Sequence, residues 1–136
     1  MSRPKTLIIR FEDWDHFKTR VKSAIKKGIS SVTPKNTLVF SSVAQYQKFM
    51  TEQKVAILAA IISKGPSSIY QLAQVVERDF ANVQRDCTAL ESMGFVRLDE
   101  KDDAKKSKMP KLAFDYNRIE IHMPQVTYSH NLGGAA

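Results

Sequence analysis

Asn82, Gln84 and Arg85 are the side chains of this 136-residue sequence best suited to specific chemistry. They fall within one helical segment, residues 79–93. In the major groove of DNA, Asn and Gln can pair bidentately with adenine, and Arg with guanine. On a helical wheel Ala81, Asn82, Arg85, Ala89 and Ser92 lie opposite Phe80, Val83, Cys87 and Leu90, with Gln84 and Thr88 on the flanks. Small residues among polar ones suit a helix that enters a groove. Backbone-neutralising groups stand nearby in sequence: Arg78 just before the helix, and Lys101, Lys105, Lys106, Lys108 and Lys111 in the loop after it. Ser68 and Tyr70, at the start of the preceding helical segment, are further phosphate donors, although Ser68 also reads as a helix N-cap. One feature opposes this reading. The helix carries Asp79, Asp86 and Glu91 against the single base Arg85.

Other chemistry finds less support. The chain has no phosphate-cradling glycine loop, nucleophile elbow or metal motif, and its five glycines fall at helix ends or in the tail. Asp13, Asp15 and His16 read as the favourable first turn of a helix. Cys87 falls on the inward phase of its helix, so a buried and inert thiol is expected. As the single cysteine it has no disulfide partner, and the three histidines are scattered. Neither an enzyme nor a cofactor is expected.

The elements that would position these residues follow from spacing. Residues 6–11 are β-branched and apolar, a short strand. Asp13 caps a helix to Lys27 with Trp14, Phe17, Val21, Ala24 and Ile25 along one side and Lys18, Lys22 and Lys26 on another, and Gly28 stops it. After a polar linker, residues 37–40 form a second strand, and Ser41 or Ser42 caps a brief helix with Val43, Tyr46 and Met50. Thr51 starts a helix presenting Val55, Leu58, Ala59 and Ile62, which ends at Gly65-Pro66. Ser67 or Ser68 caps the next, with Ile69, Leu72, Ala73 and Val76 inward. Past a turn at Glu77-Arg78, Asp79 caps the helix bearing Phe80, Val83, Cys87, Leu90 and Met93, and Gly94 closes it. Residues 95–98 and 111–114 read as a hairpin around a lysine-rich loop, and residues 118–123 as a last strand.

Three helices, the last two joined by a tight turn, followed by a hairpin with a charged tip, are the order of a winged helix-turn-helix. The expected fold is therefore α+β and mainly helical, a winged helix-turn-helix with an N-terminal strand–helix extension. Residues 1–50 form the extension, 51–123 the DNA-binding domain and 124–136 a flexible tail.

Three stretches carry a family resemblance: Gly65-Pro66-Ser67-Ser68-Ile69-Tyr70-Gln71-Leu72-Ala73, Arg78-Asp79-Phe80-Ala81-Asn82-Val83-Gln84-Arg85-Asp86, and Ala89-Leu90-Glu91-Ser92-Met93-Gly94-Phe95-Val96. Together they resemble a prokaryotic group of short winged-helix transcriptional regulators, distantly MarR-like. The lead-in from Phe17 to Met50 and the closing Phe114-Asp115 before Ile119-Glu120-Ile121 also fit, so the resemblance spans roughly residues 10–122. It implies a cytoplasmic, sequence-specific DNA-binding regulator, a repressor of transcription whose partner is double-stranded DNA. Members of the group often carry lysine where this chain has Ala81 and histidine where it has Gln84. Those departures imply a different target or a weakened contact.

Operators are commonly palindromic, so a homodimer is expected. Trp14, Phe17 and Val21, with the strand at 6–11, are its candidate interface, the alternative being packing within one chain. A second functional reading is a docking module, such as an antitoxin that binds a toxin protein.

Charge and composition bound these readings. With 43% apolar and 26% charged residues the chain is ordinary for a globular protein, which excludes wholesale disorder. The longest apolar run, Val55 to Ile62, is far too short for the ~20 residues of a membrane span. The N-terminus has no secretory apolar region, so a reducing cytoplasm is expected and no membrane partner. The formal charge is +7, but residues 1–50 alone carry ten basic and three acidic side chains. The excess thus lies outside the segment that suggests DNA binding.

Overall fold

Alternation of buried and exposed positions makes Thr6–Phe11 a strand, β1, with Leu7 and Ile9 fully buried on one face and Arg10 exposed on the other. The computed structural model describes residues 5–28, 33–100 and 108–123. Helix α1 (Trp14–Lys26) follows, its N-terminus closed by the Asp13 carboxylate, which accepts from the His16 backbone N–H at 2.8 Å. The chain then returns as β2 (Thr37–Phe40), parallel to β1, with Ile9 opposite Leu38 and Phe11 opposite Phe40. Parallel neighbours need such a crossover, and α1 supplies it.

Four helices come next: α2 (Val43–Phe49), α3 (Glu52–Lys64), α4 (Ile69–Val76) and α5 (Phe80–Met93). Ser42, Thr51, Ser68 and Asp79 cap them in turn, each side chain accepting from a backbone N–H of the first turn. Strands β3 (Val96–Asp99) and β4 (Met109–Leu112) pair antiparallel, with Val96 opposite Leu112 and Arg97 opposite Lys111. The last strand, β5 (Arg118–Ile121), does not extend this hairpin. It pairs parallel to β1, with Leu7 opposite Ile119, giving a sheet of order β2-β1-β5. The described residues thus form an α+β fold of five helices and two small sheets. None of the helices alone is long and apolar enough to cross a membrane.

The core is shared along the chain. Leu7, Ile9 and Phe40 from the N-terminal sheet pack in one cluster with Ile57, Leu72, Leu90, Phe95 and Tyr116. Phe49 stacks on Phe95 at 5.9 Å between ring centres, and the buried Tyr116 hydroxyl donates to the Phe95 carbonyl at 2.8 Å. Gly94 ends α5 at φ 92°, and a Cβ there would meet a Leu38 methyl at 3.0 Å. Glycine is needed for both the turn and the close approach of β2. The boundary expected near residue 50 is therefore one of sequence: β5 and the common core join the segments on either side. The expected tail, 124–136, lies outside the described residues.

Two helical phases differ from expectation. In α3 the buried side chains are Ile57, Leu58, Ala60 and Ile61, while Val55, Ala59 and Ile62 face outward. The run from Val55 to Ile62 is apolar throughout, so periodicity cannot choose its inner face. In α1 only Ala24 is buried, and Trp14 and Ile25 are 65% and 71% exposed. This helix connects β1 to β2 without joining the main core, so Trp14 and Ile25 stay accessible.

Candidate nucleic-acid interface

Helix α5 buries Val83, Cys87 and Leu90 and packs Phe80 and Met93 at the margin of the core. That anchoring turns Asn82, Gln84, Arg85 and Thr88 outward, all exposed. Arg85 donates to the Asn82 side-chain oxygen at 3.1 Å, one helical turn apart, so the two form a single polar unit on the surface. Gln84 stands beside them, its backbone carbonyl accepting from the Thr88 hydroxyl at 2.9 Å. The outward groups are donors and acceptors of the kind that read base edges.

The three acids of this helix are each engaged within the chain. Asp79 is the N-cap and accepts from the Ala81 N–H at 3.2 Å. Asp86 accepts from the Arg78 guanidinium at 2.8 Å. Glu91 reaches across to β3 and accepts from the Leu98 N–H at 2.9 Å. Their negative charge is thus neutralised or hydrogen-bonded, and Arg85 is not directly opposed by any of them. Sequence spacing alone does not announce the Arg78–Asp86 or Glu91–Leu98 contacts, because both depend on how the turn and the strand return against α5.

Arg78 is held back against α5 by Asp86 and is only partly exposed. Its position serves the turn more directly than an outer surface. In that turn Glu77 adopts φ 57°, and the Arg78 N–H donates to the Ala73 carbonyl at 3.0 Å, closing the end of α4.

The start of α4 is organised by reciprocal capping. Ser68 Oγ accepts from the Gln71 N–H at 3.0 Å, and the Gln71 side-chain oxygen accepts from the Ser67 N–H at 2.6 Å. Of the two serines that the sequence offers as caps, Ser68 is the N-cap, and the Gln71 side chain reaches back one residue further, to Ser67, in a variation on the capping box. Accepting this bond leaves the Ser68 hydroxyl proton to donate elsewhere. Tyr70 is 59% exposed, its ring 6.3 Å from that of Phe80. Lys108 joins this corner through its backbone: its carbonyl accepts from the Ile69 N–H at 2.9 Å, which seats β4 against the first turn of α4. Its side chain is exposed, as are Lys111 and Arg97 opposite each other on the hairpin. Lys101, Lys105 and Lys106 lie outside the described residues.

The remaining candidate groups fall elsewhere. Trp14, Phe17 and Val21 lie along α1, with Trp14 and Phe17 stacked at 5.7 Å and Phe17 and Val21 half-buried. Asp13 and His16 pair with each other at the helix start, and Glu12 pairs with Arg20 at 2.7 Å. Cys87 is fully buried, and loss of hydration pushes its thiol pKa up to about 12, so the thiolate is disfavoured. Among the described residues no group of His, Cys, Asp or Glu side chains is arranged to hold a metal ion.

The outward face of α5 and the capped corner at Ser68 both lie within a stretch shared with other proteins. No curated protein matches the sequence. A family model named HVO_A0114 does match, over residues 49–121. That span runs from the end of α2 to the strand that closes the N-terminal sheet, and it includes all of α3, α4, α5 and the β3–β4 hairpin. More than half of the sequence is covered, and the chain belongs to the HVO_A0114 family.

Proposed function

We propose that this protein is a sequence-specific DNA-binding regulator of transcription, acting as a repressor and as a homodimer. In this reading α3, α4, α5 and the β3–β4 hairpin are a winged helix-turn-helix of distantly MarR-like type. Helix α5 enters the major groove, where Asn82, Gln84 and Arg85 meet base edges. Ser68, Tyr70 and Lys108 contact phosphates beside it, together with Lys105 and Lys106 of the wing. Arg78 has a different part: through Asp86 it positions α5.

One observation carries the reading. The three acids that make α5 net negative are all engaged within the chain, while Asn82, Gln84 and Arg85 are exposed together on its outer face.

The test is selection of bound fragments from the host genome at two salt concentrations. A discrete recurring motif is expected, with affinity that falls as salt rises. Recovery of fragments without any enriched motif overturns sequence-specific binding. A docking role toward a partner protein, as in an antitoxin, is the second reading, and the exposed Trp14 and Ile25 of α1 favour it. Copurification with the product of an adjacent gene, together with no motif in the fragment selection, is its signature.

A further inference from the structure

Helix α1 turns a row of cations to solvent. Ala24 is buried and Phe17, Arg20 and Val21 are half-buried, so that side of the helix faces the protein. Lys22 and Lys26 lie on the opposite side, with Lys18 on its flank, and all three are exposed. Their spacing of four sets them about 6 Å apart along the helix axis. The carboxylates at the start of α1 are already engaged. Glu12 pairs with Arg20 at 2.7 Å, Asp13 with His16 at 2.8 Å, and Asp15 loosely with Lys18 at 3.8 Å. Neither Lys22 nor Lys26 joins an ion pair among the described residues.

Three accounts of this row differ in what they require. A lysine in the last turn complements its own helix dipole, which covers Lys26 but not Lys22 or Lys18. An anionic membrane requires a continuous exposed apolar stripe beside the charges. Trp14 and Ile25, 65% and 71% exposed, instead stand at opposite ends of α1, and Phe17 and Val21 between them are half-buried. A phosphate backbone requires only the cations. Lys18 to Lys26 span about 12 Å, and a duplex presents a phosphate every ~1.7 Å of its axis, about seven over that length.

From this arrangement we infer that α1 is a nucleic-acid contact apart from α5, holding the phosphate backbone of double-stranded DNA through Lys18, Lys22 and Lys26 without reading its bases. The excess charge of residues 1–50, ten basic side chains against three acidic, thereby gains a role. Base reading by α5 is a separate property, and either can fail without the other.

Trp14 is the single tryptophan of the chain, and Lys18 Nζ lies 5.9 Å from its ring centre, so its fluorescence reports on this face. The test is titration of the full chain with a random-sequence duplex at several salt concentrations, following duplex anisotropy and Trp14 emission together. Both signals are expected to change with one midpoint. Replacing Lys18, Lys22 and Lys26 together by Gln, which keeps helix propensity, lowers the slope of log affinity against log salt by about 2–3. Replacing all three by Arg preserves the slope, and circular dichroism is the same for both variants. Arg85→Ala leaves the Trp14 response unchanged. Absence of binding to the random duplex overturns the inference, as does a silent Trp14 or an unchanged slope in the Gln variant. A Trp14 response to phosphatidylserine vesicles but not to the duplex overturns it in favour of a membrane. A slope lost in the Gln variant, with no motif in the fragment selection, sustains this contact and removes only base reading by α5.

Discussion

Arg78 donates to Asp86 at 2.8 Å and so ties the turn before α5 to the second turn of that helix. The two side chains are 27% and 20% exposed, between a surface pair and a buried one. Exposed pairs contribute up to about 1 kcal/mol, and breaking a buried one costs roughly 3–5. Arg78→Ala or Asp86→Ala is therefore expected to lower stability by about 1–2 kcal/mol, and the double variant by less than their sum. Urea unfolding of the three variants measures this. If Arg78→Ala leaves stability unchanged but flattens the salt dependence of DNA binding, Arg78 contacts phosphate instead of positioning the helix.

Arg85 is exposed, and its guanidinium donates to the side-chain oxygen of Asn82. Arg85→Ala is expected to cost about 1–3 kcal/mol on a cognate DNA site and to relax preference at one base position. Fluorescence anisotropy on cognate and random duplexes separates the roles. Equal losses on both would remove Arg85 from base reading.

Glu77 is the non-glycine residue with positive φ among those described, at 57°. A side chain there crowds its own backbone at a cost of roughly 1–2 kcal/mol, part of which glycine returns through a more mobile unfolded chain. Glu77→Gly should raise stability by about 0.5–1 kcal/mol, and Glu77→Val should lower it. The urea midpoint is the measurement, and a decrease in the glycine variant argues against strain at this turn.

Asp13 and His16 supply a pH dependence with a definite sign. The backbone N–H of His16, then its ring, holds the Asp13 carboxyl below its usual 3.8, and the hydrogen bond to Asp13 raises His16 above its usual 6.5. The raised histidine contributes stability fully below its unfolded value, lost as pH climbs through the folded one. The lowered carboxyl contributes above its unfolded value, lost as pH falls through the folded one. The start of α1 is thus best closed between 3.8 and 6.5. Titration of the His16 ring by NMR should show a midpoint above 6.5 that drops in Asp13→Ala. A midpoint indifferent to that substitution contradicts the pairing.

Much of the local structure is legible in the sequence because its causes are local. Asp13, Thr51, Ser68 and Asp79 cap the helices they precede, since a side-chain oxygen satisfies backbone donors only a few residues away. The buried side of α5 follows from the three-and-four spacing of Val83, Cys87 and Leu90 amid polar residues. Where every position is apolar, as from Val55 to Ile62, that reasoning has nothing to select with. Packing against α4, α5 and β4 chose Ile57, Leu58, Ala60 and Ile61 instead.

By itself, then, the sequence determined where the helices start and which side of α5 could meet a partner. The second hairpin strand, expected at 111–114, is Met109–Leu112, and the last, expected at 118–123, ends at Ile121. Tertiary structure decided the rest. It brought β5 to β1 across more than a hundred residues, because strand pairing depends on edge availability and register, not on neighbours in the chain. It also turned Asp86 to Arg78 and Glu91 to Leu98, so the charge that seemed to oppose DNA binding on α5 is engaged internally. Electrostatic pairing is a matter of distance in space, and a count of charges along a helix carries no such distance.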